Sequence, residues 1–158
     1  MFRDLRRKNK ELSMEECIYV LKTEKRGVLS VFGEDEYPYG MPMNHWYNQE
    51  DGRIYFHCGN EGHRLDALKK NPKVSFCTYD EGYHEAGEWA LRVKSVIVFG
   101  TVEIVDDLSQ IVEITTKLSY KFTQDDAYIN EEIKKHAHRT LLLVLTPKHI
   151  CGKTVKES

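Results

Sequence analysis

Seven consecutive residues, Cys58-Gly59-Asn60-Glu61-Gly62-His63-Arg64, have the make-up of an anion cradle. Two glycines let the backbone turn tightly and approach a ligand closely. A helix beginning at this point offers unpaired N–H groups and the positive end of its dipole. His63 and Arg64 add side-chain donors at the same end, and a guanidinium can grip a phosphate through two parallel hydrogen bonds. A cation in a first helical turn opposes the dipole, so an anion seated there offsets the cost. A plain surface connection with incidental polar residues fits these seven positions equally well.

Two other stretches hold candidate chemistry. Tyr37 to Tyr47 reads as a strand containing Pro38, Gly40 and Pro42. Proline removes ladder donors, so the strand belongs at an edge or a bulge. Its exposed backbone beside Met41, Met43, Asn44 and His45 can offer N–H and C=O groups to the rim of a flat aromatic ligand; alternatively the prolines only blunt the edge against aggregation. His57 leaves an apolar strand just before the turn and is a candidate proton donor, although a satisfied structural histidine fits as well. Ser95 lies beside Val96-Ile97-Val98-Phe99, so its hydroxyl needs a partner, either a backbone carbonyl or a ligand phosphate. His57, Cys58 and His63 are also a conceivable metal set, but the spacing suits structural zinc poorly.

The elements that must position these groups follow from periodicity and breakers. Ser13 with Glu15 and Glu16 starts a helix whose apolar side is Cys17, Ile18, Val20 and Leu21. Gly27–Phe32 is a strand, and Gly33 to Glu36 is a hairpin turn leading into the proline-rich strand. In Arg53–Cys58, alternation puts Ile54, Phe56 and Cys58 on one face and Tyr55 and His57 on the other. A short helix from His63 to Lys70 packs through Leu65 and Leu68, and Asn71 before Pro72 stops it. Val74–Tyr79 is the next strand. A polar loop follows, in which Tyr83, His84 and Trp89 can cover a pocket or a partner. Leu91–Val105 is a long strand with a bend at Gly100. Asp106-Asp107 opens a helix with Leu108, Ile111, Val112 and Leu118 on one face, and a second helix spans Ala127–His136. Arg139–Cys151 is apolar on both faces, as in a central strand or a dimer interface. Six strands with three or four helices predict an α+β protein around a small antiparallel barrel.

Composition bounds the function. The chain of 158 residues suits one domain, preceded by a charged, flexible arm over residues 1–12 with five basic and two acidic side chains. A formal net charge of −2 gives no general attraction to nucleic acid. Four dispersed cysteines, no C-x-x-C pair and no signal peptide are expected of reduced thiols in a cytoplasm. No apolar run approaches a membrane span.

Four segments in order carry a resemblance: Tyr37–Tyr47, Ile54–Phe76, Lys94–Ile104 and Leu141–Lys153. Together they resemble the pyridoxamine 5'-phosphate oxidase-like superfamily of FMN-binding split barrels, and within it the 5-nitroimidazole-resistance branch. The resemblance implies a six-stranded antiparallel split barrel with flanking helices, working as a cytoplasmic homodimer with FMN at the subunit interface. It implies that Met41, Pro42, Met43, Asn44 and His45 lie along the flavin, with His57 and Cys58 ending the next strand beside it. It also implies that His63 and Arg64 bind the phosphate and that Ser95 contacts the flavin from a later strand. The arginine-rich substrate apparatus of a true pyridoxamine phosphate oxidase is missing. The expected activity is therefore NAD(P)H-dependent reduction of a small flat acceptor, with a non-catalytic flavin carrier or sensor, or a haem-binding split barrel, as alternatives.

Overall fold

The computed structural model describes residues 1–157. Its helices are α1 (Met14–Thr23), α2 (His63–Lys70), α3 (Leu108–Ser119) and α4 (Asp126–His136). Its strands are β1 (Arg26–Phe32), β2 (Pro38–Asn44), β3 (Trp46–Asn48), β4 (Arg53–Gly59), β5 (Lys73–Tyr79), β6 (Tyr83–His84), β7 (Leu91–Val105) and β8 (Thr140–Glu157). All pairings are antiparallel, in the order β2-β1-β5-β7-β8-β4-β3, with β6 on the outer end of β7. The sheet curls around a core that includes Leu29, Val31, Met41, Met43, Ile54, Phe56, Phe76, Val96, Val98, Leu143 and Leu145. This is the α+β split-barrel architecture.

Eight strands replace the expected six, and both additions have local causes. The Tyr37–Tyr47 stretch breaks at His45, whose N–H donates to the Lys25 carbonyl at 3.2 Å and whose ring turns into the core. β3 then continues on the far side of the kink as the partner of β4. Tyr83 and His84 add the short β6 by pairing with Arg92 and Leu91. The proline-bearing β2 is at an edge of the sheet, where its missing donors cost no ladder bonds.

β7 and β8 form the longest ladder, with a register shift between Phe99 and Gly100. A Cβ at Gly100 would collide with the Thr146 carbonyl, so the bend requires glycine. β8 runs well past Cys151, because the second half of β7 pairs with Leu142–Pro147 and the first half with His149–Glu157. Leu142, Leu143, Val144 and Leu145 are buried on both faces, the first and third beneath α3 with Tyr55, Ile111 and Ile114.

The helices start where their caps dictate. Ser13 and Glu16 close a capping box on α1, with Glu16 N donating to Ser13 Oγ at 3.2 Å. Asp107 caps α3 through Gln110 N at 2.9 Å. On α3 the buried positions are Ile111, Ile114 and Leu118; Leu108 and Val112, expected on the same face, are exposed. The amino-terminal arm is laid down rather than free. Glu11 bridges to Lys153, Leu12 N donates to the Gly152 carbonyl at 2.9 Å, and Leu12 is buried.

Candidate functional site: the turn between β4 and α2

β4 delivers its alternate side chains as the pleat requires. Cys58 is buried in the core and His57 is exposed on the opposite face. Gly59 ends the strand opposite Thr140, and the chain turns through Asn60 and Glu61 to Gly62. Gly62 has φ +126°, a conformation that favours glycine, and it stands at the N-cap of α2. Glycine has no side chain with which to cap, and since Leu65 N and Asp66 N donate back to the Gly62 carbonyl at 3.1 and 3.2 Å, the amides left for an anion are those of His63 and Arg64.

Tyr39, Cys58, Gly59, Glu61, Gly62, His63, Arg64 and Leu65 line a pocket of about 220 Å³. The Tyr39 ring stacks on His63, centroids 4.3 Å apart and planes 13° from parallel. Arg64 Nε donates to Met41 Sδ at 2.9 Å, which anchors the guanidinium over the β2 edge. Added Cβ atoms at Gly59 and Gly62 would meet nothing within 4 Å, so the mouth is open. A phosphate group fits this volume, whereas a flavin ring system does not and would have to lie outside it. The donor set therefore fits the phosphate end of FMN: two basic side chains, uncapped helix amides and a glycine turn. The exposed Glu61 carboxylate opposes an anion and would have to point to solvent when one binds.

Electrostatics separate the other candidates. The protein around His57 and, second, the nearby Arg64 charge push the His57 pKa below its ordinary value, so the imidazole is neutral near pH 7. Burial pushes the Cys58 thiol up, against a smaller opposing pull from Arg64, so it is a thiol rather than a reactive thiolate. His57 and Cys58 project from opposite faces, and no cluster of three or more potential metal-ligating side chains is found among the described residues.

The β2 candidates alternate in the same way. Met41 and Met43 are buried in the core, while Pro42 and Asn44 are exposed on the outer face, opposite Val28 and Arg26 of β1. His45 is fully buried, its Nε2 lies 2.8 Å from the Leu21 carbonyl, and its ring meets Phe76 edge-on. Its backbone is committed as well: the N–H donates to the Lys25 carbonyl at 3.2 Å and the carbonyl accepts from Lys121 Nζ at 2.7 Å.

Ser95 stands apart. It pairs with Tyr79 and Lys153, and it is ten residues along β7 from Val105, the residue level with Leu142 and hence with His57. That separation is roughly 30 Å of strand. The Tyr83–Trp89 segment sits at this same far end, with Trp89 exposed. Within one chain, neither Ser95 nor that loop joins the α2 turn. Sequence reasoning missed Tyr39, although alternation along Tyr39, Met41 and Met43 carries the signal.

Comparison with known proteins bears on the fold and the family. Residues 13–154 match the family model described as pyridoxamine 5'-phosphate oxidase. No curated protein matches. A solved structure of a putative 5-nitroimidazole antibiotic resistance protein from Bacteroides thetaiotaomicron superposes with a TM-score of 0.75 at 17% identity, covering 93% of this chain and 87% of that one. An FAD-binding protein from Mesorhizobium loti gives 0.67 at 21% identity, covering 92% and 97%. The flavocytochrome Anf3 from Azotobacter vinelandii gives 0.76 at 15% identity, covering 97% and 72%. At these identities the likeness speaks for the fold alone, whereas the family match spans nearly the whole chain. The protein belongs to the pyridoxamine 5'-phosphate oxidase family.

Proposed function

We propose that this protein binds FMN, seats its phosphate at the β4–α2 turn, and reduces a small flat acceptor at the expense of NAD(P)H. The observation that carries the reading is the uncapped start of α2, where Gly62 at φ +126° exposes the amides of His63 and Arg64 beside their basic side chains. Membership of the family and the flavin-binding names of structural neighbours support the flavin itself.

When bound, the flavin supplies the electron chemistry, and the chain supplies position and proton control. Arg64, His63 and the α2 amides hold the phosphate. Pro42 and Asn44 present the outer edge of β2, where backbone groups are free of a further strand. His57 is the candidate proton donor to the acceptor. Its depressed pKa means that it carries a proton to give only towards acid pH, so its contribution is present below that pKa and lost as pH rises through it.

The working unit is a homodimer. A flavin that touches both the α2 turn and Ser95 needs Ser95 from a second copy, because roughly 30 Å of strand separates them within one chain. The outer face of β1 and β5 also leaves Val28, Phe32 and Tyr79 exposed, a surface suited to a partner.

The test is to identify the chromophore that copurifies with the protein and then mix the loaded protein with NADH and NADPH. Bleaching of flavin absorbance, followed by reoxidation by an added acceptor faster than for free FMN, is the expected result. If neither nicotinamide bleaches the flavin and no acceptor reoxidises it faster than free FMN, the reductase reading fails and a carrier or sensor remains.

A further inference from the structure

We propose that a second, separate anion site lies between the amino-terminal arm and the end of β8, and that it binds the phosphate groups of a small phosphorylated ligand. Arg6, Arg7, Lys10, Lys153 and Lys156 converge, with Thr154 and Val155, on a pocket of about 290 Å³. Five cations meet there in a chain whose formal net charge is −2. The concentration is therefore local and is not a property of the whole surface.

The pocket is built by backbone contacts. Residues Lys8–Lys10 form a 3-10 turn, with Lys10 N donating to the Arg7 carbonyl at 3.0 Å. The Glu11–Lys153 bridge and the Leu12–Gly152 hydrogen bond then clamp the arm onto β8. Buried Leu12 anchors it, so the three arm cations are held opposite the two on the strand.

Neutralisation within the chain is sparse. Lys156 pairs with Glu88 at 3.1 Å, and Glu11 lies 3.7 Å from Lys8, outside the pocket lining. Among the described residues, Arg6, Arg7, Lys10 and Lys153 have no carboxylate within 4 Å. Like charges held together repel, and a multivalent anion between them relieves that repulsion while gaining charge-assisted hydrogen bonds. Its volume is at the small end for ligand pockets, which suits a phosphate or pyrophosphate group rather than a whole nucleotide. The cations ring one cavity instead of tracking a long stripe, which favours a small ligand over a nucleic-acid backbone.

Within one chain this site lies apart from the α2 turn, but Lys153 pairs with Ser95, which the homodimer reading takes to a partner's flavin, so the titration is run on FMN-loaded protein to keep the two readings apart. Titration of the full-length protein with inorganic pyrophosphate, followed through backbone amide NMR shifts, tests it without any redox readout. Saturable shifts are expected at residues 6–12 and 152–156. The affinity should fall about tenfold in Arg7→Gln and in Lys153→Gln, the low end for one charge-assisted contact, and should be unchanged in Lys135→Gln on α4. AMP should displace pyrophosphate from the same amides. The proposal is overturned by an absence of saturable shifts there, by an equal loss in Lys135→Gln, or by a response to AMP but not to pyrophosphate. It is equally overturned if a short DNA duplex binds this surface more tightly than pyrophosphate does.

Discussion

His45 and His57 stand twelve residues apart, one at the break between β2 and β3 and the other on β4, and the structure gives them opposite environments. His45 is sealed beneath α1, with Nε2 on the Leu21 carbonyl, its Nδ1 without a partner and Phe76 against its ring. Burial, assisted by the nearby Lys121 charge, pushes its pKa down to about 3. His57 is exposed on the outer face of β4, and its pKa is also lowered, by the surrounding protein and then by Arg64. Both imidazoles are neutral at pH 7, but one neutral ring holds the fold and the other can meet a ligand. Residue type and position in a motif do not separate these two roles; the direction of the side chain does.

The largest effect that tests this contrast is on stability. His45→Ala removes a fully buried ring and leaves the Leu21 carbonyl unpaired, at a cost of about 3–5 kcal/mol in denaturant unfolding. His57→Ala changes stability by no more than about 0.5 kcal/mol, as an exposed substitution should. Equal losses from the two would erase the distinction.

Acid offers a second test with a definite sign. The folded chain keeps His45 neutral down to about pH 3, whereas the unfolded chain takes up a proton near the ordinary value of 6.5. The contribution of His45 is thus fully present above about pH 6.5 and declines as pH falls towards 3, by on the order of 5 kcal/mol in all. Unfolding measured at a series of pH values should show this slope, and it should be shallower in His45→Gln. A wild-type slope unchanged by that substitution would assign the acid sensitivity to other groups.

A third and smaller effect compares His57 with its neighbour Arg64. Arg64→Ala should weaken FMN binding by about tenfold or more, equivalent to roughly 1.5–3 kcal/mol for a charge-assisted contact. His57→Ala should leave FMN affinity within a few-fold, slow acceptor reduction, and remove the part of the rate that declines with rising pH. A slowing accompanied by lost cofactor would make His57 a binding residue instead.

Where the sequence carried local instructions, it was legible. The bounds of α2 at His63 and Lys70 follow from Gly62 before it and Asn71-Pro72 after it, and those of β7 from a long apolar run between polar turns. Alternation in β4 correctly separated Cys58 from His57 because a strand's period is set by covalent geometry. What was hidden depended on contacts distant in sequence. The break at His45 exists because the ring finds Leu21 and Phe76, and the Tyr37–Tyr47 stretch alone gives no sign of either. The exposed Leu108 and Val112 fit a helical stripe as well as Ile114 does, and only packing against β4 and β8 chooses among them. The arm looked free because the Gly152 carbonyl that holds Leu12 is 140 residues away in the chain. Ser95 is legible as a strand residue, but its distance from the α2 turn emerges only from the register of β7 with β8.

The central claim is that the turn between β4 and α2 is a seat for a terminal phosphate. Its most direct measurement is the dissociation constant of the apoprotein for FMN and for riboflavin, which differ only in that group. FMN should bind at least about tenfold more tightly, with the preference lost in Arg64→Ala. Equal affinity for the two would contradict the assignment.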